Sequence, residues 1–267
     1  MLKNVFLKTL RDQQWSLLYW SIGLIAMAVI MTLFYPSISS MQSINQYLEE
    51  LPEGMMEMFM GGEIIDYTSP VGYFSTELFS FMVPLLFLIF AIGFGTGAIA
   101  GEEEKGTLDF LLANPVPRWR VVVEKFGVMV VSMILLAFVF WAGMAISIAA
   151  IDVDLSLLKL AEATLGTMVL GLVFGTFSLW LGCLKGSRGL CLGISGGLAV
   201  LTYLLNALGS IVEGLRDYRF LSPFYHFLEP NILKNGIDPF HMLVLVGLVV
   251  MFFLASIPTF TRRDIGV

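Results

Sequence analysis

Six long blocks almost free of charge limit how this chain can fold: Ser16 to Phe34, Leu78 to Ile99, Val128 to Ala150, Thr164 to Leu184, Leu190 to Val212 and Met242 to Phe260. A hydrocarbon core of about 30 Å is crossed by roughly 20 apolar residues in a helix, so each block is long enough to span a bilayer. Only 13% of the residues are charged and 57% are hydrophobic, against about 25% charged in a soluble domain. A water-soluble fold of this length would lack polar surface. The third block is rich in Val, Ile and Phe, yet an unclosed strand in lipid would leave its backbone N–H and C=O groups without partners, so a helix is expected. The fold class that follows is an all-α integral membrane protein with six transmembrane helices, and the apolar blocks leave no soluble enzyme-sized segment. Aromatic residues near the span ends, among them Trp15, Trp20, Tyr73 and Phe260, suit the membrane–water interface. The first block is too long for the apolar part of a signal peptide and lacks an Ala-x-Ala exit, so it is expected to be a retained anchor.

The basic residues set an orientation. Lys3, Lys8, Arg11, Lys105, Arg118, Arg120, Lys125, Lys185, Arg188, Arg262 and Arg263 fall on one side of the six spans. Lys159, Arg216, Arg219 and Lys234 fall on the other. Tyr35 to Phe74 has no basic residue but holds Glu49, Glu50, Glu53, Glu57, Glu63 and Asp66. The positive-inside rule then puts the basic side, with both chain termini, in the cytoplasm. The expected location is the plasma membrane.

Outside the spans, Met1 to Gln14 reads as an amphipathic interfacial helix, with Leu2, Val5, Phe6, Thr9 and Leu10 on one face and Lys8, Arg11 and Asp12 on the other. The first outer loop (35–74) carries helix-compatible stretches at Met41 to Glu50 and Gly54 to Met60, and its Met55, Met56, Met58, Phe59 and Met60 cluster is expected to rest on the outer leaflet or cover the mouth of the membrane domain. The second outer segment (213–241) is broken by Pro223, Pro230 and Pro239, as short helices dipping into the interface would be. His226 and His241 lack partners at metal-ligand spacing and read as surface residues. Cys183 and Cys191 read as packing residues, since one pair gives neither a disulfide framework nor a zinc spacing.

Several chemical signatures fail on inspection. Net charge is −6, which argues against nucleic acid, whose binding needs a dense basic face. Gly95-Thr-Gly97-Ala-Ile-Ala100 fits a loose dinucleotide fingerprint, but it ends a membrane span and lacks the strand that fingerprint requires. Gly93, Gly97 and Gly101, like Gly193 and Gly197, instead suit close helix packing, of which a dimer seam is one version. Ser195 has no base at hand. No Gly-x-x-x-x-Gly-Lys-Ser/Thr loop occurs, so nucleotide hydrolysis of that kind belongs to another polypeptide. Ion-coupled transporters place titratable groups within their spans, and these spans are bare; that reading and a membrane sensor stand as the alternatives to a transport subunit.

The stretch from Gly101 to Lys125 carries the strongest signal. Leu108, Leu111 and Leu112 form a ridge at i, i+3 and i+4 spacing on a short helix from Thr107 to Asn114, with Glu102, Glu103 and Glu104 where carboxylates suit a helix N-terminus. Pro115 and Pro117 stop that helix, and Arg118 and Arg120 return the chain to the membrane surface. By residue chemistry alone, docking on a soluble partner and sinking into lipid are equally open.

The pattern Gly-Glu-Glu-Glu-x-Gly-Thr-Leu-x-x-Leu-Leu-x-x-Pro-Val-x-Arg, from Gly101 to Arg118, resembles the stretch after the second span in membrane subunits of type-2 ABC (ATP-binding cassette) exporters. Six spans, an interfacial N-terminal helix and a broken outer segment before the last span extend the likeness over essentially the whole chain. The first outer loop is longer than in the plainest members. The resemblance implies that Thr107 to Asn114 is the cytoplasmic coupling helix and Met1 to Arg11 the connecting helix. It implies contact with a partner ATPase through Glu102, Glu103, Glu104, Lys105, Thr107, Leu108, Leu111, Leu112 and Arg118. ATP and Mg would be bound by that ATPase, this chain holding no cofactor. A second permease chain, identical or different, would complete the pump, and a mainly apolar lining with Thr176, Thr202 and Asn206 would suit amphipathic, lipid-like or antibiotic-type cargo.

Overall fold

A computed structural model of the chain describes residues 5–40, 66–109 and 116–263. Helix α1 (Val5–Asp12) leads into α2 (Gln14–Ser39). The second span, Pro70–Ala98, joins α3 (Pro70–Phe74), a π-helical stretch (Ser75–Met82) and α4 (Val83–Ala98). After α5 (Ala100–Glu104) come α6 (Arg118–Ala150), α7 (Leu157–Leu184) and α8 (Arg188–Gly209). Short helices α9 (Glu213–Arg216), α10 (Pro223–Leu228) and α11 (Ile232–Asn235), with a 3₁₀ turn at Arg219–Leu221, precede α12 (Pro239–Arg262). Among the described residues there is no strand, and six helices are long and apolar enough to cross a membrane. The expected all-α architecture is therefore present.

Several spans start before their apolar blocks, because polar caps rather than hydrophobicity decide where a helix begins. Ser69 accepts from the Gly72 N–H ahead of Pro70, and Asp238 accepts from Phe240 and His241 N–H groups ahead of Pro239. Both use proline in the first turn, where its missing N–H costs nothing. Ser156 and Ser187 cap α7 and α8 in the same way.

Helix α7 is the axis of the bundle. Its most apolar stretch is 78% buried, against 17% for α12 and 22% for α2. Small residues let α4 come up to it: a Cβ on Gly95 would lie 2.2 Å from the Gly175 carbonyl oxygen, and one on Gly175 would lie 2.9 Å from Ala91 Cβ. In lipid, where apolar contact alone gives helices little reason to associate, such backbone approach supplies the packing energy. The pairing differs from the expected one. Gly93 and Gly97 have nothing within 4 Å of a would-be Cβ, and neither do Gly193 and Gly197. Two residues along a helix is about 200° of rotation, so when Gly95 faces α7, its neighbours at 93 and 97 face away. Several buried hydroxyls in the spans bond back to their own helices, as Thr96 does to Ile92 O and Thr176 to Leu172 O, which removes donors that lipid could not satisfy.

The helices define two ends. The basic end carries α1, α5, residues 106–109 and 116–117, the α7–α8 turn and the end of α12. The far end carries the 66–69 turn, the α6–α7 turn and the 210–238 segment. The expected helices at Met41 to Glu50 and Gly54 to Met60, and the Met55–Met60 cluster, lie outside the described residues.

Candidate functional site

In the acidic run at the basic end each carboxylate has a partner within the chain, although Glu104 remains exposed. Glu102 Oε1 accepts from Lys125 Nζ at 2.9 Å and Oε2 from the Thr107 hydroxyl at 2.6 Å. Burial works against the Glu102 charge, but Lys125, then Thr107, with Lys8 further off, outweigh it and hold the carboxyl below its ordinary range. Lys125 is only 4% exposed, and burying a charge is costly unless it is paired in this way. Glu103 Oε1 accepts from Arg263 Nη2 at 2.6 Å, just past the end of α12. A Cβ on Gly186 would fall 2.2 Å from that carboxylate, so a residue without a side chain at the α7–α8 turn makes room for it. Glu104 Oε1 accepts from the Arg188 N–H at 2.7 Å, at the start of α8, where the helix dipole favours a negative charge. Arg118 closes the group by donating through Nη1 to the Arg263 carbonyl at 2.6 Å.

The effect is a clamp. A single turn of chain, α5, is tied by its three carboxylates to α6, to the end of α12 and to the start of α8. Gly106 leaves that turn with φ +65°, a left-handed conformation that suits glycine, and opens the 106–117 stretch. Helix α1 joins from the side: Val5 and Thr9 are buried, and the Phe6 N–H donates to Glu124 Oε2 at 2.8 Å. A cavity of about 380 Å³ lies between α1, α4 and α5, lined in part by Lys8, Asp12, Gly97, Glu102 and Lys105.

Against the sequence reading, the structure changes the picture in two ways. Leu108 is 1% exposed and belongs to the main core, so it is not part of an exposed ridge; Gly106 turns the chain so that this leucine points inward. Glu102, Glu103 and Glu104 are engaged within the chain instead of standing free. Lys105 is exposed and Arg118 half-buried, while Leu111 and Leu112 lie outside the described residues. Sequence reasoning missed Arg188, Arg263, Gly186 and the pairing of Lys125. Lys125 alone gave a signal, as a lone cation early in an apolar helix.

At the far end, His226 and His241 depart from the expected surface role. His226 is 7% exposed; its Nε2 lies 2.9 Å from Phe220 O and its Nδ1 3.0 Å from His241 Nδ1. A carbonyl only accepts, so Nε2 carries the proton and the His226 Nδ1 accepts from the His241 Nδ1–H. The pair ties α10 to the first turn of α12. Burial, aided by His241 and opposed by the Phe220 bond, lowers the proton affinity of His226. Ser222, fully buried, fixes the same segment by donating to Thr202 O at 2.7 Å and accepting from Phe224 N–H. Cys183 and Cys191 are buried free thiols, as packing residues would be. Among the described residues no cluster of three or more potential ligands could hold a metal.

Six helices long and apolar enough to cross a bilayer, packed around a buried axis with a clamp of ion pairs at one end, define a multi-pass membrane protein. The chain belongs to the ABC-2 family transporter protein family, whose model matches residues 3–265. No curated protein matches it closely enough to narrow that assignment. It is thus an ABC-2 family membrane transporter subunit, as the resemblance from Gly101 to Arg118 implied.

Proposed function

We propose that this chain is the permease subunit of an ATP-driven exporter, working with a separate ATPase and a second permease chain, and moving amphipathic cargo. The observation that carries the reading is the clamp. The stretch expected to meet an ATPase, 107–114, leaves directly from a turn whose carboxylates hold α6, α8 and α12. A push on that stretch is felt by three membrane helices at once. Lys105 and Leu111 are then the contacts for the ATPase, with Arg118 bracing the far side of the stretch. Glu102, Glu103 and Glu104 pass the force inward. ATP and Mg sit on the partner, in keeping with the missing phosphate loop. The excess of Lys and Arg at the basic end supports placing that end in the cytoplasm.

The test is affinity purification of the tagged chain from its native membrane. A phosphate-loop ATPase should co-purify and hydrolyse ATP. Leu111→Asp should release it while the permease keeps its wild-type melting temperature, and Leu108→Asp should instead destabilise the permease itself. Retention of the ATPase by Leu111→Asp would sink the assignment of this stretch as the docking element.

A further inference from the structure

The far end holds a pair of side chains that the transport reading does not use. His226 on α10 and His241 in the first turn of α12 are the only histidines in the sequence. Their Nδ1 atoms lie 3.0 Å apart and their ring centroids 5.1 Å apart. The N···N distance and the two ring radii account for that span, so the nitrogens meet head-on, with room for a single hydrogen between them. The Phe220 carbonyl, 2.9 Å from His226 Nε2, only accepts, and so keeps a proton on that nitrogen. The hydrogen in the gap then comes from His241 Nδ1. His241 Nε2 is the one ring nitrogen of the pair left without a hydrogen.

The groups around the pair are engaged elsewhere. On α12, Asp238 accepts from the Phe240 and His241 amides. On the 3₁₀ turn, Arg219 lies over the Tyr225 ring and against Glu229, just past α10. Helix α8 presents Tyr203, whose ring meets Phe224 edge-on. Helix α7 presents Glu162, which accepts from the Ile237 N–H, and Lys159 beside Gly236. His241 is the neighbour whose charge acts on His226. His226 is 7% exposed and His241 half-buried, so protons reach the pair from the His241 side.

These positions set how many protons the pair can hold. A first added proton goes to His241 Nε2 and breaks nothing: the His241 Nδ1–H still donates to His226, now as a charge-assisted bond. A second can enter only at His226 Nδ1. It would put two hydrogens in a 3.0 Å gap between two cations, and the rings must part. We infer that His226 and His241 form a proton-operated latch between the 213–238 segment and the last span, shut with no added proton or one and open with two. The inference goes beyond the exporter reading and needs neither ATPase nor cargo. The excess of Lys and Arg at the opposite end adds only that the acid comes from outside the cell.

The experiment uses the full chain in detergent micelles, carrying a tag without histidine and labelled with ¹⁵N-histidine, so that NMR reports these two rings alone. At neutral pH one ring should be the Nε2–H tautomer and the other Nδ1–H. On acidification the Nδ1–H ring should titrate first, with amide protection across 223–241 unchanged. Protection there should then fall about tenfold as the second ring titrates, the worth of one hydrogen bond to a charged group. His241→Gln should hold the latch shut throughout, since an amide can donate to the neutral His226 ring and turn to accept from the protonated one. His241→Phe offers no donor and should show low protection at every pH. Overturning results are two rings that titrate together at their ordinary value of about 6.5, and protection lost with the first proton. The same acid loss in His241→Gln would give the response to a carboxylate such as Asp238 or Glu229, and wild-type protection in His241→Phe would show that the pair joins nothing; either overturns the latch. The order of titration in the wild-type chain decides even if a variant fails to fold. ATPase co-purification is measured separately, so either reading can fail alone.

Discussion

The two ends of this bundle are tied by different kinds of polar contact. At the basic end three carboxylates from one turn reach three elements: Glu102 holds Lys125, Glu103 holds Arg263, and Glu104 holds the first amide of α8. At the far end the ties are single hydrogen bonds, from His241 to His226 and from Ser222 to the Thr202 carbonyl. A network of charged bonds makes its helices move together, because shifting one member strands the others. A single bond between uncharged partners is worth less and yields more readily. The same bundle thus has a stiff joint at one end and a softer one at the other.

That contrast can be broken most sharply at Lys125. Lys125→Ala leaves Glu102 half-buried without its cation, and removing one partner of a buried pair costs roughly 3–5 kcal/mol. The melting temperature in detergent should fall by on the order of 10 °C. Gly186→Ala should cost less, about 1–2 kcal/mol, because the Glu103 carboxylate it displaces is the end of a flexible side chain. Loss of the Arg263 contact in a double-mutant cycle with Glu103→Gln would check it.

Acid should loosen the two ends in different windows. His226 binds its proton less readily folded than unfolded, so the stability it adds is complete above its ordinary value of 6.5 and is lost as the pH falls below that. Glu102 is also depressed when folded; its contribution is complete above 4.5 and disappears only as the pH falls through its lower folded value. Amide protection factors across 213–238 should therefore fall as the pH drops below 6.5, before those near α5 change. Simultaneous loosening would contradict the separation of the two ends. The smallest effect is expected from Asn206→Leu: it removes a buried Oδ1 acceptor that has no partner, so stability should stay within about 0.5 kcal/mol of wild type or rise.

The spans were legible because crossing a bilayer demands length and apolarity in one continuous stretch, and sequence records both. Their limits were less so: α6 starts at Arg118, ten residues before its apolar block, because a helix continues into the interface wherever its backbone stays paired. The acidic run was visible as a motif, yet its partners lie 23, 84 and 160 positions away. Only the folding of the six spans brings these together. The two histidines misled for the same reason. Fifteen positions separate them, with no helical or strand period to suggest that Nδ1 meets Nδ1. Leu108 misled for another. Its spacing to Leu111 is helical, but the left-handed turn at Gly106 decides where the side chain goes.

The close approach of α4 and α7 at Gly95 and Gly175 has a consequence for how such a bundle can work. A side-chain interface can slide, since rotamers readjust as one helix passes another. This seam has backbone on one side and only a 2.2 Å gap for any added atom, so a slip by even one residue would drive a Cβ into a carbonyl. The two helices therefore behave as one keel, and motion is left to the thinly packed α8 pivoting about it. Disulfide crosslinks across the keel should be silent, whereas crosslinks between the keel and α8 should stall the protein.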